Sequence, residues 1–203
     1  MIYGIIAHMQ PQTFVFFGQV GSGKGTQVKL LMDFLNSKDG LGSVYAGTGD
    51  GFRKLIESGN YTASLVKEYV HAGALVPDFL TDAVFVNILI SDLSLEKNLI
   101  ADGYPRTASQ SIVFEEMMKF FKRDAVKIIY IELSEEEATK RNLLRGRHDD
   151  TKEGLTKRFN EYKNKVVPAM DYFKDKEGYE IHTINGEQSI EDVHKDIIKA
   201  LGY

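Results

Sequence analysis

Nine consecutive residues, Gly18-Gln19-Val20-Gly21-Ser22-Gly23-Lys24-Gly25-Thr26, carry the densest chemical signal in the chain. Glycines let a backbone adopt the angles and the close approach that a polyphosphate needs. Where such a loop opens a helix, its N–H groups and the helix N-terminus can enclose phosphate oxygens. On that reading Gly21, Ser22, Gly23, Lys24, Gly25 and Thr26 form the cradle. Lys24 can neutralise charge on the β- and γ-phosphates, and the Thr26 hydroxyl can ligate Mg²⁺. The strict phosphate-loop pattern places Ser or Thr directly after the lysine, and here Gly25 intervenes. The plain alternative is a glycine-rich turn that only joins a strand to a helix. Context disfavours it, because a strand before the loop and a helix after it are what the motif requires.

Arginine is the second signal. The chain has seven arginines against 18 lysines, at positions 53, 106, 123, 141, 145, 147 and 158. A planar guanidinium can hold phosphate oxygens two at a time, whereas lysine suits a solvated surface. Arg141 and Arg145 stand four apart on one helix face, where like charges repel by roughly 0.2–0.5 kcal/mol. Cations do suit a helix C-terminus, which could account for Arg145 and Arg147 without any ligand. The five histidines, at positions 8, 71, 148, 182 and 194, show no metal-ligand spacing.

The elements that must carry these groups alternate. The short apolar run at 14–17 reads as a buried strand, followed by a helix over about 25–37 with Val28, Leu31, Met32 and Leu35 on one face. Further strands are expected at 44–46, 99–101, 127–133 and 179–184. Ser134 and Glu137 have capping-box spacing at the start of a helix. Leu155, Phe159, Tyr162, Val166, Met170 and Phe173 predict one long helix that Pro168 should kink. A last helix is expected over 189–201. Strands alternating with helices predict an α/β fold, a three-layer arrangement with a central parallel sheet flanked by helices. Residues 48–92 read as several short helices inserted between two strands, which suggests a small mobile subdomain.

Composition narrows the class. With 203 residues there is room for one ordinary domain, and 43% hydrophobic with 27% charged residues is a globular balance. The net charge of −4 argues against a protein that coats nucleic acid, while leaving a local basic pocket open. Absence of cysteine removes disulfides, Cys-ligated metals and thiol nucleophiles, and fits a reducing compartment. No apolar run approaches the roughly 20 residues that span a bilayer, so no membrane partner is expected. Residues 1–8 lack the positive n-region of a targeting segment and read as an extension or an added edge strand. The chain is read as cytoplasmic.

The Gly23-Lys24-Gly25-Thr26-Gln27 variant of the phosphate loop resembles the adenylate kinases and their nucleoside monophosphate kinase relatives. Four more segments are similar to that family, in order and with sensible spacing. Thr48-Gly49-Asp50-Gly51-Phe52-Arg53 and Gly73-Ala74-Leu75-Val76-Pro77-Asp78 look like its monophosphate side. Asp102-Gly103-Tyr104-Pro105-Arg106-Thr107 with Gln110 resembles its Asp-Gly-Phe-Pro-Arg-x-x-x-Gln signature. Arg141, Arg145, Arg147-His148-Asp149-Asp150 and Arg158 resemble its phosphate-clamping arginines. Six of the seven arginines thus fall where that family grips phosphate, and only Arg123 does not.

The resemblance implies a P-loop kinase that moves a phosphoryl group from ATP to AMP, giving two ADP, with Mg²⁺. Lys24, Arg106, Arg141, Arg145, Arg147 and Arg158 would be catalytic. Thr48, Arg53, Val76, Gly103, Arg106 and Gln110 would bind AMP, and the Gly186 backbone would meet the adenine of ATP. Asp102 would hold the metal through water with Thr26, or else cap the turn that follows it. Gln110 offers a donor and an acceptor to an adenine edge, or is an ordinary glutamine starting a helix. Thr48 supports AMP, since pyrimidine-specific relatives tend to carry Ala there. A monomer is expected.

Two departures from the family stand out. Val20 replaces a proline common before the second glycine of the loop. Only Gly146 separates Arg145 from Arg147, where relatives place a lid segment, so residues 145–148 form at most a minimal lid turn. The enzyme would then clamp with that turn alone, and leak ATP to hydrolysis or depend on closure of 48–92. The competing readings are a kinase for another monophosphate such as UMP or CMP, and a nucleotide-binding or ATPase module without transferase activity. A GTPase is disfavoured, because Asn164-Lys165-Val166-Val167 lacks the aspartate of the guanine-reading motif.

Overall fold

The computed structural model describes residues 10–145 and 151–203, apart from the side chains of Arg145 and Lys152. The expectations for residues 1–9, for the Arg145 side chain and for the turn through Arg147 and His148 lie outside the described residues.

Strand β1 (Thr13–Phe17) is buried at all five positions, as a strand covered on both faces must be. It sits at the centre of a five-stranded sheet in the order β2-β3-β1-β4-β5, with β2 (Ser43–Gly47), β3 (Asn98–Asp102), β4 (Val126–Glu132) and β5 (Tyr179–Asn185). Every neighbouring pair is parallel. Alternation of side chains along β1 builds two cores. Phe14 and Phe16 meet Val28, Leu31 and Leu35 of α1 (Lys24–Lys38) and Val193 and Ile197 of α9 (Ile190–Ala200). Val15 and Phe17 face Phe85, Leu89, Phe114 and Phe173 on the other side. These come from α4 (Asp78–Asp92), α5 (Ala108–Phe120) and the segment after α8 (Val167–Asp171).

The chain leaves β1 through α1 toward β2 on one side, and leaves β3 through α5 toward β4 on the other. The carboxyl ends of β1 and β3 therefore border the crevice where parallel sheets bind ligands. Thr13–Phe16 pair with Leu99–Asp102, so Asp102 is level with Phe16, two residues before the glycine loop begins.

Between β2 and β3 the structure forms three helices, α2 (Thr48–Glu57), α3 (Tyr61–His71) and α4. Phe52 of the first and Val66 of the second form a small core with Val76 of the turn that follows, against which Leu80 and Val84 of α4 also pack. The third is as long as α1 and buries Phe85 and Leu89 completely in the main core, so it is not a short inserted helix. A second difference lies in the long helix. It forms as α7 (Lys152–Glu161), a π turn at Tyr162–Val166, and α8. The irregularity therefore starts a turn before Pro168. Proline cannot donate to Asn164 and its ring crowds that carbonyl; the widened turn, in which the Val167 N–H reaches the Tyr162 carbonyl, relieves both.

Half of the expected capping box forms at α6 (Glu135–Arg145). The Glu137 N–H donates to Ser134 Oγ at 3.3 Å. The Glu137 carboxylate instead accepts from Arg141 Nε at 2.8 Å, and Glu187 takes the Ser134 N–H at 3.2 Å.

Candidate active site

The glycine loop follows β1 directly and ends in α1, whose cap, Gly23, has φ +86 and supplies no side-chain hydrogen bond. No capping side chain therefore competes for the first-turn N–H groups of α1, of which that of Thr26 donates to the Gly23 carbonyl at 3.0 Å. Gly21 also has φ +86, and a Cβ there would lie 2.5 Å from Asn142 Nδ2 and 3.0 Å from the Ala138 carbonyl. Helix α6 packs against the loop at that point, so a side chain at 21 would prise the two apart. The loop is tied down further by Gln19, whose buried amide donates to the Leu133 carbonyl at 2.7 Å. Lys24 folds over the loop and donates to the Gly18 carbonyl at 2.5 Å and to that of Gln19 at 3.0 Å. Ser22 is buried, while Gly25 and Thr26 are exposed at the start of the helix.

A cavity of about 340 Å³ opens beside the loop. Lys24 reaches it from the loop, Asp102, Gly103 and Arg106 from the end of β3, Arg53 and Val76 from the α2–α4 region, and Arg158 from α7. Seven of the residues singled out in the sequence therefore converge on one space. Phe52, Ile56, Val70 and Val76 give it an apolar wall of the kind a nucleobase needs.

The Arg106 guanidinium sits between opposing influences. Burial pulls its pKa below the ordinary arginine range, the Asp102 carboxylate offsets this, and Arg158 adds to it. Its Nε donates to the Gly103 carbonyl at 2.6 Å, which also accepts from the fully buried Thr48 hydroxyl at 2.8 Å. Gly103 has φ +75, and a Cβ would stand 2.5 Å from Arg106 Nη2 and 3.1 Å from Thr48 Oγ1. Only glycine lets the turn bend and both groups close on its carbonyl.

Other expected residues stand apart from the cavity. Gln110 is 1% exposed, behind the Gly103–Arg106 wall, with its Oε1 accepting from the Arg106 N–H at 2.7 Å. Its Nε2 donates to Asp78 Oδ1 at 2.9 Å. Arg53, by contrast, lines the cavity, although its side chain is well exposed and pairs with Asp50. Arg141 lies outside the cavity lining, donating to Glu137 and, at 2.9 Å, to the Gly186 carbonyl. The Gly186 N–H in turn donates to the Glu132 carbonyl at 2.7 Å, which joins α6 to the ends of β4 and β5.

Sequence reasoning gave no role to three residues that hold the site in shape, although Asp78 and Tyr104 lie in segments it singled out. Tyr45 donates to Asp102 Oδ2 at 3.2 Å; burial and then the charges of Asp102 and Asp50 raise its pKa, keeping the phenol protonated. Asp78 accepts from Thr107 Oγ1 at 2.8 Å as well as from Gln110. Tyr104 donates to Asp82 at 2.7 Å. The acid at the first turn of α4 was a visible signal, but its partners lie 29 and 32 residues away. For Tyr45 the signal was the β2–β3 register, which no local pattern carries.

The family model for adenylate kinase matches residues 16–178. An adenylate kinase of Corynebacterium urealyticum is 35% identical over 189 residues, covering 92% of this chain and 97% of that protein. An adenylate kinase 1 of a Nostoc species is 30% identical over 188 residues, covering 93% of this chain and 97% of that one. For an adenylate kinase of Thermosipho africanus the alignment runs to 218 positions at 29% identity, covering 92% of this chain and 98% of that protein. That last alignment is longer than the chain itself, so the Thermosipho protein carries stretches without a counterpart here.

Proposed function

The chain belongs to the adenylate kinase family, and on that premise we propose that it transfers a phosphoryl group reversibly from ATP to AMP, giving two ADP, by positioning and charge neutralisation without a general base. The observation that carries this is the convergence of Lys24, Asp102, Arg106 and Arg158 on one cavity between a phosphate loop and an apolar wall. Phosphoryl transfer needs little covalent help from a protein; it needs the donor and acceptor in line and the spreading charge met by cations.

Lys24 would leave the loop carbonyls for the phosphates of ATP, an exchange of one set of acceptors for a stronger one. Arg106 and Arg53 would hold the AMP phosphate, and Arg158 would face the moving group. An AMP phosphate oxygen is mostly ionised at pH 7, since its second pKa is about 6, so no proton need be removed. Arg141, Arg145 and Arg147 are assigned to the same phosphates by resemblance, and Gly186 to the adenine of ATP. In the present arrangement Arg141 positions the Gly186 loop.

Adenylate kinases use Mg²⁺ with ATP. The residues fit it: Asp102 and Thr26 offer hard oxygens beside the loop, and Mg²⁺ is usually held by one or two such groups together with substrate phosphates. When bound it would supply a Lewis acid that draws charge from the phosphate oxygens. ATP, AMP and ADP are the ligands, with the chain acting as a cytoplasmic monomer. No helix among the described residues is long and apolar enough to cross a membrane.

The 48–92 region and the 145–148 turn would shut water out on binding. α4 is anchored in the main core, so within that region the motion is assigned to α2 and α3.

The test is product analysis by anion-exchange chromatography with Mg-ATP and AMP, UMP, CMP or GMP, and a control without acceptor. Two ADP per ATP, with AMP alone, is the expected result. Transfer to another monophosphate would overturn the acceptor, and ATP loss independent of acceptor would overturn the kinase reading.

A further inference from the structure

Gln110 is held between two neighbours of opposite hydrogen-bonding character. The Arg106 backbone N–H can only donate, and it meets Oε1 at 2.7 Å. The Asp78 carboxylate, when ionised, can only accept, and it meets Nε2 at 2.9 Å. An amide turned end for end would face an N–H with its own NH₂ and a carboxylate with its own oxygen. Both contacts would become repulsive in a nearly solvent-free position. Asp78 is itself fixed, because its second oxygen accepts from Thr107 Oγ1 at 2.8 Å and Thr107 caps the helix that carries Gln110.

The amide therefore keeps one sense, with one N–H and one Oε1 lone pair to spare. Adenine presents a donor at N6 and an acceptor at the neighbouring ring nitrogen. A 6-oxopurine presents an acceptor at O6 and a donor at N1, and pairing with it needs the amide reversed. We propose that Asp78 is a specificity-determining residue, which locks the sense of the Gln110 amide and so makes the acceptor site select 6-aminopurine over 6-oxopurine monophosphates. Asp78 positions the reader and does not touch substrate. The inference rests on the reading of Gln110 as the group that meets the acceptor base.

The plain structural role of Asp78 is an acid in the first turn of α4, where it favours the helix dipole. That role would move stability and overall rate but not the choice between bases. The experiment compares kcat/KM for AMP and for IMP, which differ at the 6-position edge, in the full-length protein, with thermal midpoints measured in parallel. Asp78→Asn keeps the shape and lets the neighbour accept or donate; Asp78→Ala admits water, which can do either. In either variant the Arg106 N–H still favours the original sense, so the AMP-to-IMP preference should fall by about tenfold, the size of one lost contact, with KM for ATP unchanged.

Thr107→Val removes the other contact of Asp78 together with the cap on the Gln110 backbone N–H, so it should lower the thermal midpoint. It leaves both groups flanking the amide in place, and should keep the preference within about threefold, the ordinary context scatter of a small effect. Gln110→Leu separates the two layers. If Gln110→Leu lowers the preference and both Asp78 variants leave it intact, the lock is overturned and the reader stands. If all three leave it intact, lock and reader fall together. If one Asp78 variant does not fold, the other still decides.

Discussion

The donor and acceptor sides of the cavity are built on different principles. On the donor side, the strand, the glycine loop and the helix follow one another within 26 residues, and that stretch supplies the backbone N–H groups and the lysine that would meet phosphate, with Arg158 reaching the cavity from α7. On the acceptor side, the turn after β3 is shaped by side chains from elsewhere. Thr48 holds Gly103, Asp78 holds Thr107 and Gln110, Asp82 holds Tyr104, and Tyr45 holds Asp102. A cradle of backbone dipoles binds any polyphosphate, because phosphates look alike. A base is told from another base only by donors and acceptors in a fixed order, and order requires support from several elements.

The sharpest way to break this contrast is Lys24→Met. It removes the charge that, on the function proposed, would leave the Gly18 and Gln19 carbonyls for the transferring phosphates, so kcat should fall by about 100- to 1000-fold. Affinity for AMP should change little. A coupled ADP assay with AMP titration decides; loss of AMP affinity equal to the loss of rate would show that the two sides are not separate.

Gly103→Ala strikes the acceptor side. A side chain at φ +75 costs about 1–2 kcal/mol, and the Arg106 guanidinium must also move away from the new Cβ. The expected result is about a tenfold rise in KM for AMP, with KM for ATP close to that of the parent. Thermal unfolding should shift down in parallel. A rise in the ATP value alone would contradict the division.

The smallest effect concerns the support behind Gln110. On α5, Glu115 accepts from Lys119, Lys176 and Tyr172, and these bonds hold its carboxyl well below the usual range, at about 2. A depressed acid stabilises the fold above its ordinary pKa of about 4.3 and stops doing so as pH falls toward its folded value. Stability should therefore decline between about pH 4.3 and pH 2. In Glu115→Gln that part of the slope should be missing when urea midpoints are followed over the same range; an unchanged slope would remove Glu115 as its source.

Most of the frame was legible in the chain. Residues 14–17 are apolar without interruption because β1 is covered on both faces, and the glycines at 21 and 23 mark the angles of the loop. The α/β alternation led to the parallel sheet, and the motifs at 24, 53, 76, 102, 103, 106 and 158 named residues that do share a cavity. The bounds of α4 and the place of the break before Pro168 were less legible. The first depends on what packs against the helix, and the second on how the turn before Pro168 widens to accommodate the proline, rather than on apolar periodicity. Gln110 was legible as a chemical type and not as a position, since its burial comes from Arg106 and Asp78 closing on either side.

Local order along the chain set the backbone angles of the glycine loop, because adjacent residues fix them, while the bond from Gln19 to the Leu133 carbonyl ties the loop in place. Tertiary structure alone decided which oxygen of Asp102 is engaged by Tyr45, that Gly21 must stay bare beneath α6, and which way the Gln110 amide faces. These depend on groups brought together by strand register and helix packing, and a hydrogen bond reads only the atoms within about 3 Å of it, however far apart they stand in sequence.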